Sequence, residues 1–164
     1  MIRAAPDTKG YRAILAVALV MMLPGEASGL SCAVPRLDET AISAAIMIFE
    51  GAAGPKRELT AGETRAVRKH GLASIGGGAE DLKVYSFVVT RGWKGAKTGQ
   101  AVDVLINTYW GDGFAESESY LVVSPQQVGN LLSSPLCGHT GNLKLAAELG
   151  NLATLERLIG SGQN

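Results

Sequence analysis

The stretch KVYSFVVTRGWKG at residues 83–95 alternates along most of its length, then stops on two glycines that flank Trp93 and Lys94. In an extended chain successive side chains point to opposite faces, so Tyr85, Phe87 and Val89 share one side. Val84, Ser86, Val88 and Thr90 take the other. A period of two with one bulky face describes a strand buried on one side, a pattern no helix satisfies. Gly92 permits a bulge or a sharp bend. Trp93 is then expected to turn back onto the sheet as a packing anchor, Lys94 to stay in solvent, and Gly95 to open the loop AKTGQ.

The same reading extends along the chain. Residues 44–50 (AAIMIFE) form a strand with Ile46, Ile48 and Glu50 on one face and Met47 and Phe49 on the other, ended by Gly51. Residues 101–108 set Val102, Val104 and Ile106 against Asp103, Leu105 and Asn107. Residues 109–114 (YWGDGF) read as a turn, because Gly111 and Gly113 beside Asp112 suit positive φ and local capping. Ser119–Ser124 (SYLVVS) is a further strand, stopped by Pro125. Between strands, Thr60 and Glu63 have capping-box spacing, and Gly71 ends a short helix that includes ETRAVRKH. Gly76, Gly77 and Gly78 read as a flexible loop, since Ala79, Glu80 and Asp81 stand where a phosphate loop needs Lys-Ser/Thr. Residues 143–159 read as helical, with Leu145, Leu149 and Leu152 on one face, extended by Leu155, Leu158 and Ile159. Gly150-Asn151 is the weak point that splits it. Several short strands and one C-terminal helical segment point to a small, mainly β barrel.

The first residues have a different character. Arg3, Lys9 and Arg12 lead into an apolar run over 13–23 (AILAVALVMML), broken by Pro24 and Gly25. Ala27 and Gly29 put small residues at the −3 and −1 positions of a cleavage site, so residues 1–29 read as a signal peptide and 30–164 as a single domain. The run is about half of the roughly 20 residues that span a bilayer, which argues against a permanent transmembrane anchor. A secreted or periplasmic location follows. The whole chain has 15 bases and 15 acids. Cleavage removes three bases and two acids, leaving a net charge near −1 and nothing that attracts nucleic acid. Both cysteines, Cys32 and Cys137, stay with the domain, and an even pair in an exported chain suggests a disulfide. Lipid attachment at Cys32 fits less well, because Leu30 stands one place too late for a lipoprotein signal.

Five short motifs then occur in one order: Phe49-Glu50-Gly51, the spaced Tyr85, Phe87 and Val89, Trp93-Lys94-Gly95, Tyr120-Leu121-Val122, and Cys137 with Thr140 before a Leu/Ala-rich segment. Together they resemble the secreted netrin-like domains related to tissue inhibitors of metalloproteinases (TIMP-like), in their compact microbial form. The resemblance spans about residues 30–160. It implies a five-stranded OB-like barrel with a C-terminal helical segment, a Cys32–Cys137 bridge, and structural roles for Tyr85, Phe87, Trp93, Gly95 and Tyr120. It also implies an unidentified protein partner, in the inhibitors a metalloprotease. Those inhibitors present the amine and carbonyl of an N-terminal cysteine to the catalytic zinc. Here Leu30 and Ser31 precede Cys32, whose nitrogen would be an amide and a poor ligand, and a second cysteine pair found in relatives is missing.

A non-catalytic binding domain is therefore the leading expectation, with no cofactor and no metal. Its contact surface is expected around Leu30, Ser31, Cys32 and Ala33 and at Trp110, since aromatic side chains on loops often mark binding sites. Trp110 reads equally as a turn residue folded over the barrel end. An enzyme would need groups that the sequence does not align: His70 and His139 lack paired-ligand spacing, and no serine lies in a GxSxG elbow. A basic cluster of Lys56, Arg57, Arg65, Arg68 and Lys69 is interrupted by Glu58 and Glu63 and reads as a solvated helix face.

Overall fold

A short helix opens the fold because Asp38 accepts a 2.8 Å hydrogen bond from the Ala41 amide, capping α1 (Glu39–Ala44). The computed structural model describes residues 33–72, 78–109, 113–135 and 137–162. All of these lie in the compact unit Cys32–Asn164. After α1 come β1 (Met47–Arg57), α2 (Ala61–Lys69), β2 (Leu82–Lys94), β3 (Ala101–Asn107), β4 (Ser119–Ser124), β5 (Gln126–Val128), β6 (Leu131–Ser133) and β7 (Gly141–Asn142). Two helices, α3 (Leu143–Glu148) and α4 (Asn151–Ile159), close the sequence of elements. Residues 1–29, read above as a signal peptide, and Leu30, Ser31, Cys32 and Trp110 lie outside the described residues. Among the described residues no helix is long and apolar enough to cross a membrane.

The fold is mainly β. Its strands form one mixed sheet in the order β5-β6-β3-β2-β1-β4-β7, antiparallel except for β3 with β6. Only Pro125 separates β4 from β5, yet four other strands lie between the two in that order. A one-residue link cannot cross a flat sheet of strands about 4.8 Å apart, so the sheet must curl back on itself. Ser124, fully buried, holds the corner: its hydroxyl lies 2.9 Å from the carbonyl oxygens of both Gln126 and Ser133 and donates to them.

Curling needs local bends, and the β1–β2 ladder supplies three. Ile48 pairs with Lys94 and Phe49 with Gly92, leaving Trp93 as an extra residue; Thr90 is extra between Arg91 and Val89. Farther on, Gly54 and Pro55 stand opposite Ser86 alone. Each bulge sharpens twist, and the third gives a proline a place in a strand. The expectation that Gly51 ends β1 is corrected: it pairs with Val89 on one side and Tyr120 on the other, and β1 runs on to Arg57.

The concave face encloses Phe49, Tyr85, Phe87, Val89, Val104, Phe114, Tyr120 and Val122. Phe114 meets Tyr85, Phe87 and Tyr120 edge-on at centroid distances of 5.2, 5.0 and 4.8 Å. Such pairs add about 0.5–1.5 kcal/mol each beyond the burial itself. Two smaller clusters cover the convex face. In one, Ile42, Ile48, Trp93, Leu121 and Val123 meet Ala146 and Leu155 of α3 and α4. In the other, Val67 of α2 meets Leu82, Val84, Leu105 and Leu131. β4 is buried on both faces, which explains the uninterrupted YLVV run.

Trp93 is 7% exposed and donates from Nε1 to Glu50 Oε1 at 3.0 Å, with the Arg91 guanidinium 4.0 Å above its ring. Lys94 does not stay in solvent. Its ammonium donates to the carbonyls of Ile42 and Ser43 at 2.9 and 3.1 Å, capping the end of α1, whose own last turn has no basic residue. The expected C-terminal helix face holds at Leu152 and Leu155, which join the convex cluster, and is corrected at Leu145, Leu158 and Ile159. Gly150, at φ +78°, divides the segment, so α4 begins in a new phase. Ala146, Asn151 and Leu155 are buried, whereas Leu145, Leu158 and Ile159 are exposed.

Gly95 takes φ +69° against the Ile46 carbonyl, and a Cβ on Gly92 would overlap the Ala96 carbonyl oxygen. Gly92→Ala is expected to destabilise the fold by about 2–3 kcal/mol, because backbone must move to admit the methyl. Gly62→Ala, in open space on α2, is expected to stabilise by about 0.5–1 kcal/mol. Urea unfolding of both variants checks the contrast.

Candidate functional site

Residues 113–115, 134–135 and 137–140, the first residue of β7 and the start of the described chain meet at one end of the curled sheet. Tyr120, in β4, reaches out of the aromatic core to accept a 2.8 Å hydrogen bond from the Ala115 amide, which fixes the first loop. Thr140 fixes the second: its hydroxyl accepts from the Val123 amide at 3.0 Å and donates to the Val123 carbonyl at 3.2 Å. This hydroxyl bridges the gap along β4 between β7, paired at Tyr120 and Leu121, and the corner at Ser124. Asn142 caps α3 through the Lys144 amide and donates to Glu118, so the loop is tied at its far end too.

These segments line a cleft of about 190 Å³ that includes Val34, Phe114, Tyr120, Pro135, Cys137 and Gly141. Val34 packs so closely that a Cβ on Gly141 would lie 3.1 Å from one of its methyls. Cys137 sits at φ +58° and is not a free thiol. Ala33 is exposed at the rim, and Tyr109 is 53% exposed on the strand end leading to Trp110. No charged side chain lines the cleft among the described residues. Its lining mixes apolar side chains with the hydroxyls of Ser134, Thr140 and Tyr120 and so suits a neutral, partly apolar group.

Of the residues named from sequence, Cys137 and Tyr120 line the cleft and Ala33 adjoins its Val34, while Tyr85, Phe87 and Trp93 belong to the sheet and Gly95 follows β2. Larger openings lie elsewhere: about 410 Å³ between Gly92–Lys97 and residues 159–162, about 360 Å³ among Met47, Asp103 and Leu132, and about 240 Å³ among Leu72, Leu105 and Pro125. The first takes in Trp93 and Gly95, but none of them reaches Cys137 or Tyr120. Among the described residues no three His, Cys, Asp or Glu side chains are placed to hold a metal ion. His70 is exposed at the end of α2, and His139 lies in the turn before Thr140. Val34, Thr140 and Asn151 escaped sequence reasoning. Only the Cys137-x-x-Thr140 spacing gave a signal for one of them.

Of the basic cluster, Lys56, Arg65, Arg68 and Lys69 are exposed, as a solvated face requires, while Arg57 turns into ion pairs. Arg57 forks onto Glu63 at 2.9 and 2.8 Å and reaches Asp103 at 2.7 Å, while Asp103 accepts from Ser86. Glu63 also completes the capping box with Thr60. Val67 is the only α2 side chain that is fully buried, so this network carries much of the docking of α2 on β1 and β3. The Arg57 hydrogen bond brings the Glu63 carboxyl down to about 2, and the Arg57 guanidinium is raised in turn, first by Glu63 and then by Asp103.

No family model and no curated protein matches the sequence of this chain.

A depressed carboxyl stabilises the fold above its unfolded value of 4.5, and this contribution is lost as pH falls through about 2. Glu63→Gln is expected to cost about 1–2 kcal/mol at pH 7, discounted because the ion pair is partly exposed. The difference from wild type should shrink below pH 4.5 and vanish near pH 2. Urea midpoints across that range measure it.

Proposed function

We propose that this chain is an exported, non-catalytic protein-binding domain of netrin/TIMP-like type, working in a secreted or periplasmic setting. The observation that carries the reading is the cleft in which Val34, Phe114 and Cys137 converge. Loops held by a rigid sheet, without catalytic groups, suit recognition by shape better than chemistry. The contact edge would run from Leu30, Ser31, Cys32 and Ala33 across the cleft to Trp110.

Strand connectivity supports the OB-like part. If β4 and β5 are counted as one strand bent at Pro125, the pairings run β1-β2-β3-β6-β5/β4 and back to β1, a ring of five. A Cys32–Cys137 bridge belongs to the same proposal. Support for it is that Cys137 is not a free thiol and that Val34, two residues after Cys32, lines the same cleft. Closing a loop on the order of 100 residues would remove about 4–5 kcal/mol of unfolded-state entropy.

The test is N-terminal sequencing and intact mass of the protein recovered outside the cytoplasm, with thiols alkylated after denaturation. A first residue near Leu30 and a mass two protons below the reduced chain are expected. Retained residues 1–29 with two alkylated thiols would overturn both export and bridge. Cys32 as the first residue with a free amine would instead favour a metalloprotease inhibitor acting on zinc, and an acylated Cys32 a lipoprotein.

A further inference from the structure

Asn151 is the first residue of α4 and is 1% exposed. A carboxamide taken out of water costs several kcal/mol unless both its ends find partners. Asparagine near a helix start ordinarily bonds to its own first turn, but here Gly150 holds the cap position and makes no side-chain bond. Asn151 reaches across the chain instead. Its Oδ1 accepts from the Leu37 amide at 2.8 Å, and its Nδ2 donates to the Pro35 carbonyl at 3.4 Å. Pro35 offers an acceptor and Leu37 a donor two residues on. A carboxamide supplies the complement of both, whereas a carboxylate or a lone hydroxyl supplies less. The Leu37 side chain is buried beside Ile42, Leu121 and Leu155, so the clamp and the apolar anchor act at the same point. Val34, adjacent to Pro35, is the residue that packs on Gly141 and lines the cleft.

We propose that Asn151 is a positioning residue, setting from the C-terminal helix the place at which Ala33 and Val34 meet the cleft. Its importance for recognition rests on the reading of that cleft as the partner-contact edge. The positioning itself does not. Asn151 makes two bonds to a segment that has no strand pairing of its own, while β1 is held on both sides by β2 and β4. Loss of the amide should therefore loosen the segment and leave the sheet unaffected.

Amide hydrogen exchange and methyl NMR on the full domain test this in Asn151→Leu and Asn151→Asp. In Asn151→Leu the Leu37 amide should exchange about tenfold faster and the Val34 methyl signals should move, while β1 amides stay within about twofold. Asn151→Asp keeps the acceptor and loses the donor, so Leu37 protection should largely survive while the Val34 signals still move. Exchange at Leu37 that rises only in step with β1 would make Asn151 a general core residue and sink the proposal. Unmoved Val34 signals in Asn151→Asp would do so as well, even if Asn151→Leu fails to fold. Partner binding insensitive to Val34→Arg would count against the contact edge instead, with the exchange result standing.

Discussion

The architecture depends on a single-residue connection. Because Pro125 alone joins β4 to β5, strands at separate places in the sheet order must be neighbours in space, and no flat arrangement allows this. Proline lacks an amide proton, so no ladder bond is sacrificed at the corner. The buried Ser124 hydroxyl supplies a local substitute by bonding across the corner to the Gln126 and Ser133 carbonyls of β5 and β6. Once the sheet is curled, its two faces become unequal. The concave face closes around rings from β2, β4 and the loop at Phe114, while the convex face leaves two apolar patches for helices to cover.

That inequality explains how the helices are used. α2 brings one fully buried residue and relies on Arg57, Glu63 and Asp103 for the remainder of its attachment. α1, only six residues long, would be marginal alone and is held by Ile42 in the core and by Lys94 across its last carbonyls. α3 and α4 bury little more than Ala146, Asn151 and Leu155. Short helices here act as fittings on a sheet, and each is fastened by a polar contact from another element. The end of the sheet that carries the cleft is built the same way, with Tyr120, Thr140 and Asn151 fixing backbone that makes few ladder bonds.

Much of this was legible before any coordinates. Alternation located β2 and β3 and sorted Tyr85, Phe87 and Val89 from their neighbours, because strand geometry imposes a period of two wherever one face is buried. Thr60 and Glu63 announced α2 through a contact that spans three residues. Local chemistry also warned that Gly150 would divide the C-terminal helices. These signals depend on residues close in sequence, and the sequence by itself therefore determined the elements and the face each strand turns inward.

What it left open depends on groups brought together from far apart. Whether β1 stops at Gly51 was settled by ladders from β2 and β4 on either side. Lys94 looked like a surface charge because the carbonyls it caps lie some 50 residues earlier. Leu145, Leu158 and Ile159 were misplaced because leucine spacing cannot say which of them meet Leu121 and Val123, as Leu155 does. Asn151 looked like a helix breaker, since its partners at Pro35 and Leu37 are more than 100 residues away. A hydrogen-bonding group carries no mark of its partner in sequence. Only the curled sheet, by fixing which distant backbone groups are buried together, decided where each of them would be satisfied.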